Sequence, residues 1–450
     1  MSPFADMSSV EREIFGTDGG PSARRGSPPP PPITAPPAPR TLAETGLGEQ
    51  MLVELVAKVL HLRGNQRLVD VAQQVRLPAG IVEEVFSFLR AERLAELLRR
   101  GATSGDMDYG LTERGHDRAA EFLRKCRYAG PAPVTLAQYA KQVHGQSIFQ
   151  LRVGEADVER AYRNIVLRQE TRDMIGAAMN SGRPLFLYGP PGSGKTFLAE
   201  SLFRLMRGTI YVPYAFTVDG EIVQVFDPLL HRSMVTGNAQ NTLDNRARSD
   251  ERWVPCARPV AISGGELTLD MLELRHDQGA GYYQAPLHVK ANNGLYILDD
   301  LGRQILSPKQ LMNRWIVPMD RRRDYLALGS GGSFEIPFDV KLVFATNLEP
   351  ETIADEAFLR RLGYKIHVGP VSEAEYGEIF RLVCTEFGIA FDADALDFLL
   401  NLHRRKGRPT CACYPRDLIA QVRDYAAYRG TPVELTPQMM DWSWHSYFAA

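Results

Sequence analysis

Eight consecutive residues carry the strongest chemical signal in this 450-residue chain: Gly189, Pro190, Pro191, Gly192, Ser193, Gly194, Lys195 and Thr196. They follow the apolar run Pro184 to Tyr188 and precede Phe197 to Met206, whose apolar spacing is helical. A strand, a glycine-rich loop and a helix in that order hold the phosphates of a nucleotide. Glycines let backbone N–H groups turn inward on phosphate oxygens, and the helix N-terminus adds partial positive charge. Lys195 supplies a full charge, and the Thr196 hydroxyl is placed to ligate Mg²⁺. ATP with Mg²⁺ is therefore the expected cofactor pair.

A second apolar run, Gly294 to Leu298, ends in the carboxylates Asp299 and Asp300. A buried parallel strand presents ligand-binding groups at its C-terminal end in this way. Asp299 is expected to hold Mg²⁺ and Asp300 to orient an attacking water. A third run, Lys341 to Thr346, ends at Asn347, whose amide can both donate and accept toward a phosphate and a water. Guanidinium groups match phosphate oxygens and stay charged. Arg360 and Arg361, at the end of a short predicted helix, and Arg416, opening a later one, are thus candidates to meet a triphosphate from a neighbouring copy or from the same chain. For each arginine a surface ion pair is the competing role.

Taken in order, these segments resemble the AAA+ ATPases: Walker A at 189–196, Walker B at 295–300, sensor 1 at Asn347, an arginine finger in Arg360-Arg361 and sensor 2 at Arg416. The resemblance runs over residues 155 to 430. The stretches Asp299 to Gln304, Leu311 to Met319 and Ala354 to Arg361 are similar to a bacterial group of ATPases with chaperone activity associated with Flp pilus assembly, close to the MoxR branch. That likeness implies a homo-oligomeric ring, commonly a hexamer, with nucleotide between subunits and a helical lid moving against an αβ core. Arg361 aligns best with the finger, with Arg360 as the alternative.

Two departures stand out. The Walker B segment ends Asp-Asp where most relatives have Asp-Glu, one methylene shorter. No aromatic-apolar-glycine pore loop follows Thr209 to Tyr214. The flexible aromatic candidates are Tyr282, Tyr283 and Phe334, each with burial in the core as the alternative role. The stretch Asp324 to Phe338 reads as an extra hairpin and a candidate effector loop.

The positioning elements follow from pattern. The expected fold class is α/β, with a parallel sheet flanked by helices in a P-loop core at 157–370. An α-helical lid and C-terminal tail follow at 371–450. Before the core come a proline-rich disordered tail at 1–40, a winged-helix-like domain at 41–130 and a linker at 131–156. Thirteen Lys or Arg face thirteen Asp or Glu between Thr41 and Gly130, and the third helix carries Glu83 and Glu84. Phosphates would repel that helix, so a protein client is expected for the module and nucleic acid is not.

Hydrophobic residues at 44%, charged residues at 24% and a net charge of −2 suit a globular protein with no overall pull toward nucleic acid or anionic lipid. No apolar run approaches the ~20 residues of a membrane span, and the N-terminus lacks the order of a secretion signal. No membrane insertion and a cytoplasmic location are expected. Five scattered cysteines suit free thiols, and Cys411-Ala-Cys413 lacks the spacing of a zinc knuckle. The leading expectation is an ATP hydrolase that remodels or assembles a protein partner, with pilus or secretion assembly as the setting the resemblance implies. The alternatives are a nucleic-acid motor or loader and a slow nucleotide-gated scaffold.

Overall fold

A computed structural model describes residues 33–99, 107–234, 249–353 and 355–448. The chain opens with helix α1 (Glu49–Arg63), strand β1 (Gln66–Arg67), helices α2 (Leu68–Val75) and α3 (Ala79–Ala91), strands β2 (Ala95–Arg99) and β3 (Asp108–Leu111), and helix α4 (Glu113–Lys125). The strands pair antiparallel in the order β1-β3-β2. Apolar residues at helical spacing, among them Leu52, Val56, Val59, Val82, Phe86 and Leu89, form one buried core, with Phe86 stacked 3.9 Å from Tyr109. Thr112 caps α4 by accepting from the Gly115 amide at 3.1 Å. Gly115 is glycine for close approach, since a Cβ there would stand 1.9 Å from the Leu94 carbonyl.

Two stretches that composition assigns to a tail and a connector are built into the fold. Residues 1–32 of the expected tail lie outside the described residues. Ile33 packs against the core, Pro37 bridges Ser249, and the Pro36 carbonyl accepts from the Asp250 amide. Val134–Thr135 is strand β4, and Leu136–Gly145 is helix α5, capped by a reciprocal Thr135–Gln138 pair. Burial of Val134, Tyr139 and Val143 against later strands is a tertiary fact that local composition does not carry.

Residues 148–162, including a short helix at Glu155–Ala161, pack into the core of the phosphate-loop domain, followed by helix α6 (Gln169–Asn180), strand β5 (Leu185–Tyr188) and helix α7 (Lys195–Ser201). After it come an antiparallel ribbon of β6 (Thr209–Pro213) with β9 (Trp253–Ala257), and strands β7 (Ala215–Val218) and β8 (Glu221–Gln224). The core resumes at β10 (Val260–Ser263). Then come β11 (Arg275–Asp277), β12 (Tyr282–Gln284), β13 (Leu295–Leu298), helix α8 (Pro308–Arg321), hairpin β14 (Arg323–Ala327) and β15 (Ser333–Pro337), β16 (Lys341–Thr346) and β17 (Tyr364–His367).

The central sheet is wholly parallel, ordered β10-β13-β16-β5-β17. Edge strand β17 exposes Lys365 and His367, whereas the three inner strands, β5, β13 and β16, are buried on both faces, which is why they read as continuous apolar runs. The exception is Lys341, whose buried ammonium donates to the carbonyls of Ala178, Ser181 and Arg183 and so caps the end of α6.

A second sheet, ordered β11-β12-β8-β7-β4, packs against the first module. Ala215 and Ile222 of this sheet enter the core of the first module, Tyr128 meets Tyr282 edge-on at 5.5 Å, and the Arg127 amide donates to Ala280 O. The aromatic candidates for a gripping loop are taken up in this packing. Tyr283 is buried and its hydroxyl accepts from the Gly329 amide, while Phe334 is buried on the β15 face toward Phe216.

Four helices finish the described chain: α9 (Glu373–Phe387), α10 (Ala393–Lys406), α11 (Tyr414–Arg429) and α12 (Pro437–Phe448). Buried His403 bonds the Arg408 carbonyl and the Tyr376 hydroxyl and meets Trp444 edge-on at 4.7 Å. Burial pulls its imidazole below the ordinary value of 6.5, as it does for His231 beneath the second sheet. Between the unfolded and the lower folded value the unfolded chain holds more protons. Stability contributed by these rings is therefore complete above 6.5 and lost as pH falls. Urea midpoints should drop between pH 7.5 and 5.5, and His403→Gln should flatten part of that slope. A midpoint rising on acidification would contradict the assignment. Among the described residues, no helix is long and apolar enough to cross a membrane.

Candidate functional site

The parallel order sets the geometry. The strand leading into Asp299 (β13) and the strand leading into Asn347 (β16) are neighbours, and β16 in turn pairs with β5, which runs into the glycine loop. All three segments therefore emerge at one C-terminal edge, where an open α/β sheet binds ligand. The Thr196 hydroxyl donates to Asp299 Oδ2 at 2.8 Å, and Asn347 Nδ2 donates to Asp300 Oδ1 at 3.1 Å. Residues separated by more than a hundred positions thus meet in one network.

Lys195 is largely buried, and its ammonium donates to the Gly189 and Pro190 carbonyls at 2.9 and 2.8 Å. Burial lowers its pKa, partly opposed by the negative charges of Asp299 and Asp300. A cation held short of full solvation among carboxylates is suited to a polyanion, which brings charge and hydrogen-bond acceptors together. The loop needs its glycines. Gly189 has φ 141°, and a Cβ there would lie 2.3 Å from the Val368 carbonyl. Gly192 has φ 78°, and a Cβ would stand 2.8 Å from Cys413 Sγ.

Asp300 has φ 52°, in the left-handed region that Asp tolerates better than longer side chains. Its amide bonds Asp299 Oδ1, and the following Leu301 amide donates to Ala345 O. This turned backbone gives a physical reason for Asp rather than Glu at the position. Asp300→Glu should accordingly leave ATP turnover unchanged or lower it. A faster phosphate release from the Glu variant would show that the missing methylene is the limiting feature.

The three arginines are engaged away from this network. Arg361 Nε pairs with both Asp320 oxygens at 3.2 and 3.0 Å, at the end of α8. Arg360 meets Glu356 at 2.6 Å with both side chains strongly exposed. Arg416 pairs with Glu386 and lies 5.5 Å over the Phe387 ring, inside the C-terminal helices. The competing role of an ion pair is thus realised for each within one chain.

Other contributors lack a motif signal. Gln304 donates to Asp299 O at 2.8 Å and accepts from the Gly302 amide at 2.9 Å, bracing the turn after β13. Thr346 braces it from the neighbouring strand by donating to Leu301 O at 2.7 Å. Gln304 stands inside the quoted stretch Asp299 to Gln304, but only the turn shows what its side chain holds. The Cys411-Ala-Cys413 turn sits on the glycine loop, where the Cys413 amide donates to Gly192 O at 3.2 Å. It couples the C-terminal helices directly to the loop, and all five cysteines are free thiols.

Thr196 and Asp299 offer hard oxygen donors beside each other, a set that suits Mg²⁺. A family model described as "Domain of unknown function (DUF8689)" matches residues 372–446, the span of the C-terminal helices. A search of curated proteins gave no match.

Among solved structures the chain is similar to NtrX from Brucella abortus, at 12% identity and TM-score 0.37, over 63% of this chain and 56% of that one. It is also similar to the RuvB Holliday junction branch migration motor of Thermotoga maritima, at 13% identity and TM-score 0.35, over 67% and 72%. A third is domain III of the Thermotoga maritima replication initiation protein DnaA, at 15% and 0.35, over 63% and 95%. The chain thus spans little more than half the length of NtrX. Overlaps this loose decide nothing about activity. The chain has an α/β fold with a glycine phosphate-type loop, a parallel sheet flanked by helices and a C-terminal helical unit.

Proposed function

We propose that this chain is an AAA+-type ATP hydrolase that uses nucleotide turnover to change the conformation or assembly of a protein partner. The observation that carries the reading is the convergence at one sheet edge of Thr196, Asp299, Asp300 and Asn347, through hydrogen bonds of 2.8 and 3.1 Å, beside Lys195, which feels the charges of Asp299 and Asp300. Lys195 and the amides of residues 192–196 bind and orient the phosphates, exchanging the carbonyl bonds of Lys195 for phosphate oxygens. Thr196 and Asp299 hold Mg²⁺, which when bound neutralises charge developing on the phosphates. Asp300 orients the water, and the Asn347 amide holds Asp300 and reaches the γ-phosphate. Phosphate release by the full chain with MgATP tests the reading, and no release above background would reject it.

The finer assignments form part of the same reading. Arg361, with Arg360 as the alternative, acts as a finger on the nucleotide of a neighbouring copy in a ring, most simply a hexamer. Arg416 acts within its own chain as the C-terminal helices close. The N-terminal winged-helix-type module holds the client. Two features support a protein client over nucleic acid: the module's balanced charge, and the exposed acidic Glu84 on its third helix. Retention of DNA that weakens steeply with salt would favour the motor instead. Membership near the pilus-associated MoxR-like group rests on the sequence resemblance alone.

Arg361→Ala should abolish turnover while sparing ATP binding. Mixing it with Lys195→Ala subunits should restore part of the activity, because each variant supplies what the other lacks. Mixtures no more active than either variant alone would argue for a site completed within one chain.

A further inference from the structure

The first module carries a pair of histidines that the nucleotide site does not use. His61 lies in the last turn of α1 and His116 near the start of α4, helices that pack along each other. Their Nδ1 atoms stand 3.2 Å apart, with ring centroids 5.2 Å apart and planes inclined at 62°. His61 is part-exposed and His116 exposed, so solvent and ions reach both rings.

We propose that His61 and His116 form a two-histidine chelate for a borderline divalent transition ion of the zinc class, stapling α1 to α4. Imidazole nitrogens bound at 2.0–2.1 Å on a tetrahedral zinc stand about 3.3 Å apart, so the observed separation needs almost no movement of either helix. As a neutral pair the two Nδ1 atoms share one hydrogen, one ring donating and the other accepting. Chelation uses both Nδ1 lone pairs. The donor ring therefore shifts its hydrogen to the other ring nitrogen through solvent, with no net change in protons and a gain of the ion's two charges. The negative end of the α1 dipole, at His61, favours a cation, and Glu113 and Asp117 flank His116 in sequence. Among the described residues no set of three His, Cys, Asp or Glu side chains is arranged to hold an ion, so water fills the other positions. Imidazole ligands with open positions select zinc, copper or nickel over magnesium, which separates this site from the one at Thr196 and Asp299.

The staple has a structural consequence. Helix α4 leads directly into Arg127, whose amide docks on Ala280 of the second sheet. An ion fixing α4 to α1 stiffens the path from the first module to the phosphate-loop domain.

The test is calorimetric titration of the full chain with zinc chloride, without nucleotide, for the natural sequence and for His61→Ala and His116→Gln. Circular dichroism checks that each variant is folded. The natural chain should take up one more zinc equivalent than either variant, and zinc should raise its melting temperature but not theirs. Zinc bound at the cysteines would remain in all three chains and cancel in the comparison. Superposable isotherms for the natural chain and a folded variant would overturn the proposal. So would an equal zinc-induced melting shift in all three.

Discussion

Lys195→Ala should remove ATP turnover without harming the fold. The ammonium is largely buried and its pKa is lowered by that burial, so the native protein gains little stability from it. Its value lies in the phosphates it meets. Losing a preorganised charged donor at the site of developing negative charge costs on the order of 10²–10³-fold in turnover, about 3–4 kcal/mol in barrier. Asp299→Ala should act as severely, through the lost Mg²⁺ ligand, and adding EDTA should mimic it. The check is phosphate release alongside thermal melting. Turnover within a few fold of the natural chain would sink the site assignment. A collapsed melting temperature would mean that Lys195 is structural.

Arg252→Ala should produce the largest loss of stability. Its guanidinium, 1% exposed, grips the buried Asp250 carboxylate through Nε and Nη2 and donates from Nη1 to Thr45 O at 3.1 Å and Pro133 O at 3.2 Å. One side chain thus ties the first module, the segment before β4 and the ribbon of β6 and β9. Truncation strands Asp250 as a buried charge and leaves two carbonyls without that donor, which together cost about 3–5 kcal/mol. Urea unfolding measures it. The double variant Arg252→Met with Asp250→Asn should recover a large part of the loss, since no unpaired charge remains. A single-variant loss below about 1 kcal/mol would show that the strut is dispensable. Limited proteolysis of Arg252→Ala should cut first near residues 130–135, where the module joins the rest.

Much of the candidate site was legible because its signals are local. A strand buried on both faces must be apolar throughout, so Leu185–Tyr188, Leu295–Leu298 and Lys341–Thr346 announce themselves. Residues at their ends then fall at one edge once the strands are parallel neighbours, and Lys195, Thr196, Asp299, Asp300 and Asn347 do converge there. The helices of the first module and the first three of the C-terminal unit were legible for the related reason that a one-sided apolar stripe has a helical period, whereas Pro437–Phe448 was read as a tail. The second sheet was largely hidden. Its strands are three or four residues long apart from the two-residue β4, and they pair across as many as 82 positions, from Val134 to Phe216, so no local window carries their order.

Sequence by itself determined which residues could touch a triphosphate, because glycine, lysine, threonine and carboxylate have chemistries that few other side chains share. It also marked the second strand as closing on an acid one methylene shorter than most relatives carry, without a reason for it. Only the tertiary structure decided how that acid is used, by turning Asp300 into the left-handed region beside Asn347. Tertiary packing alone paired Arg361 with Asp320 and Arg416 with Glu386, set the Cys411–Cys413 turn on the loop at Gly192, and brought His61 to His116. The physical reason is common to all four. A side chain's chemistry is intrinsic to its residue type, whereas its partner is whatever burial brings within about 3 Å, and that choice is made by the whole fold.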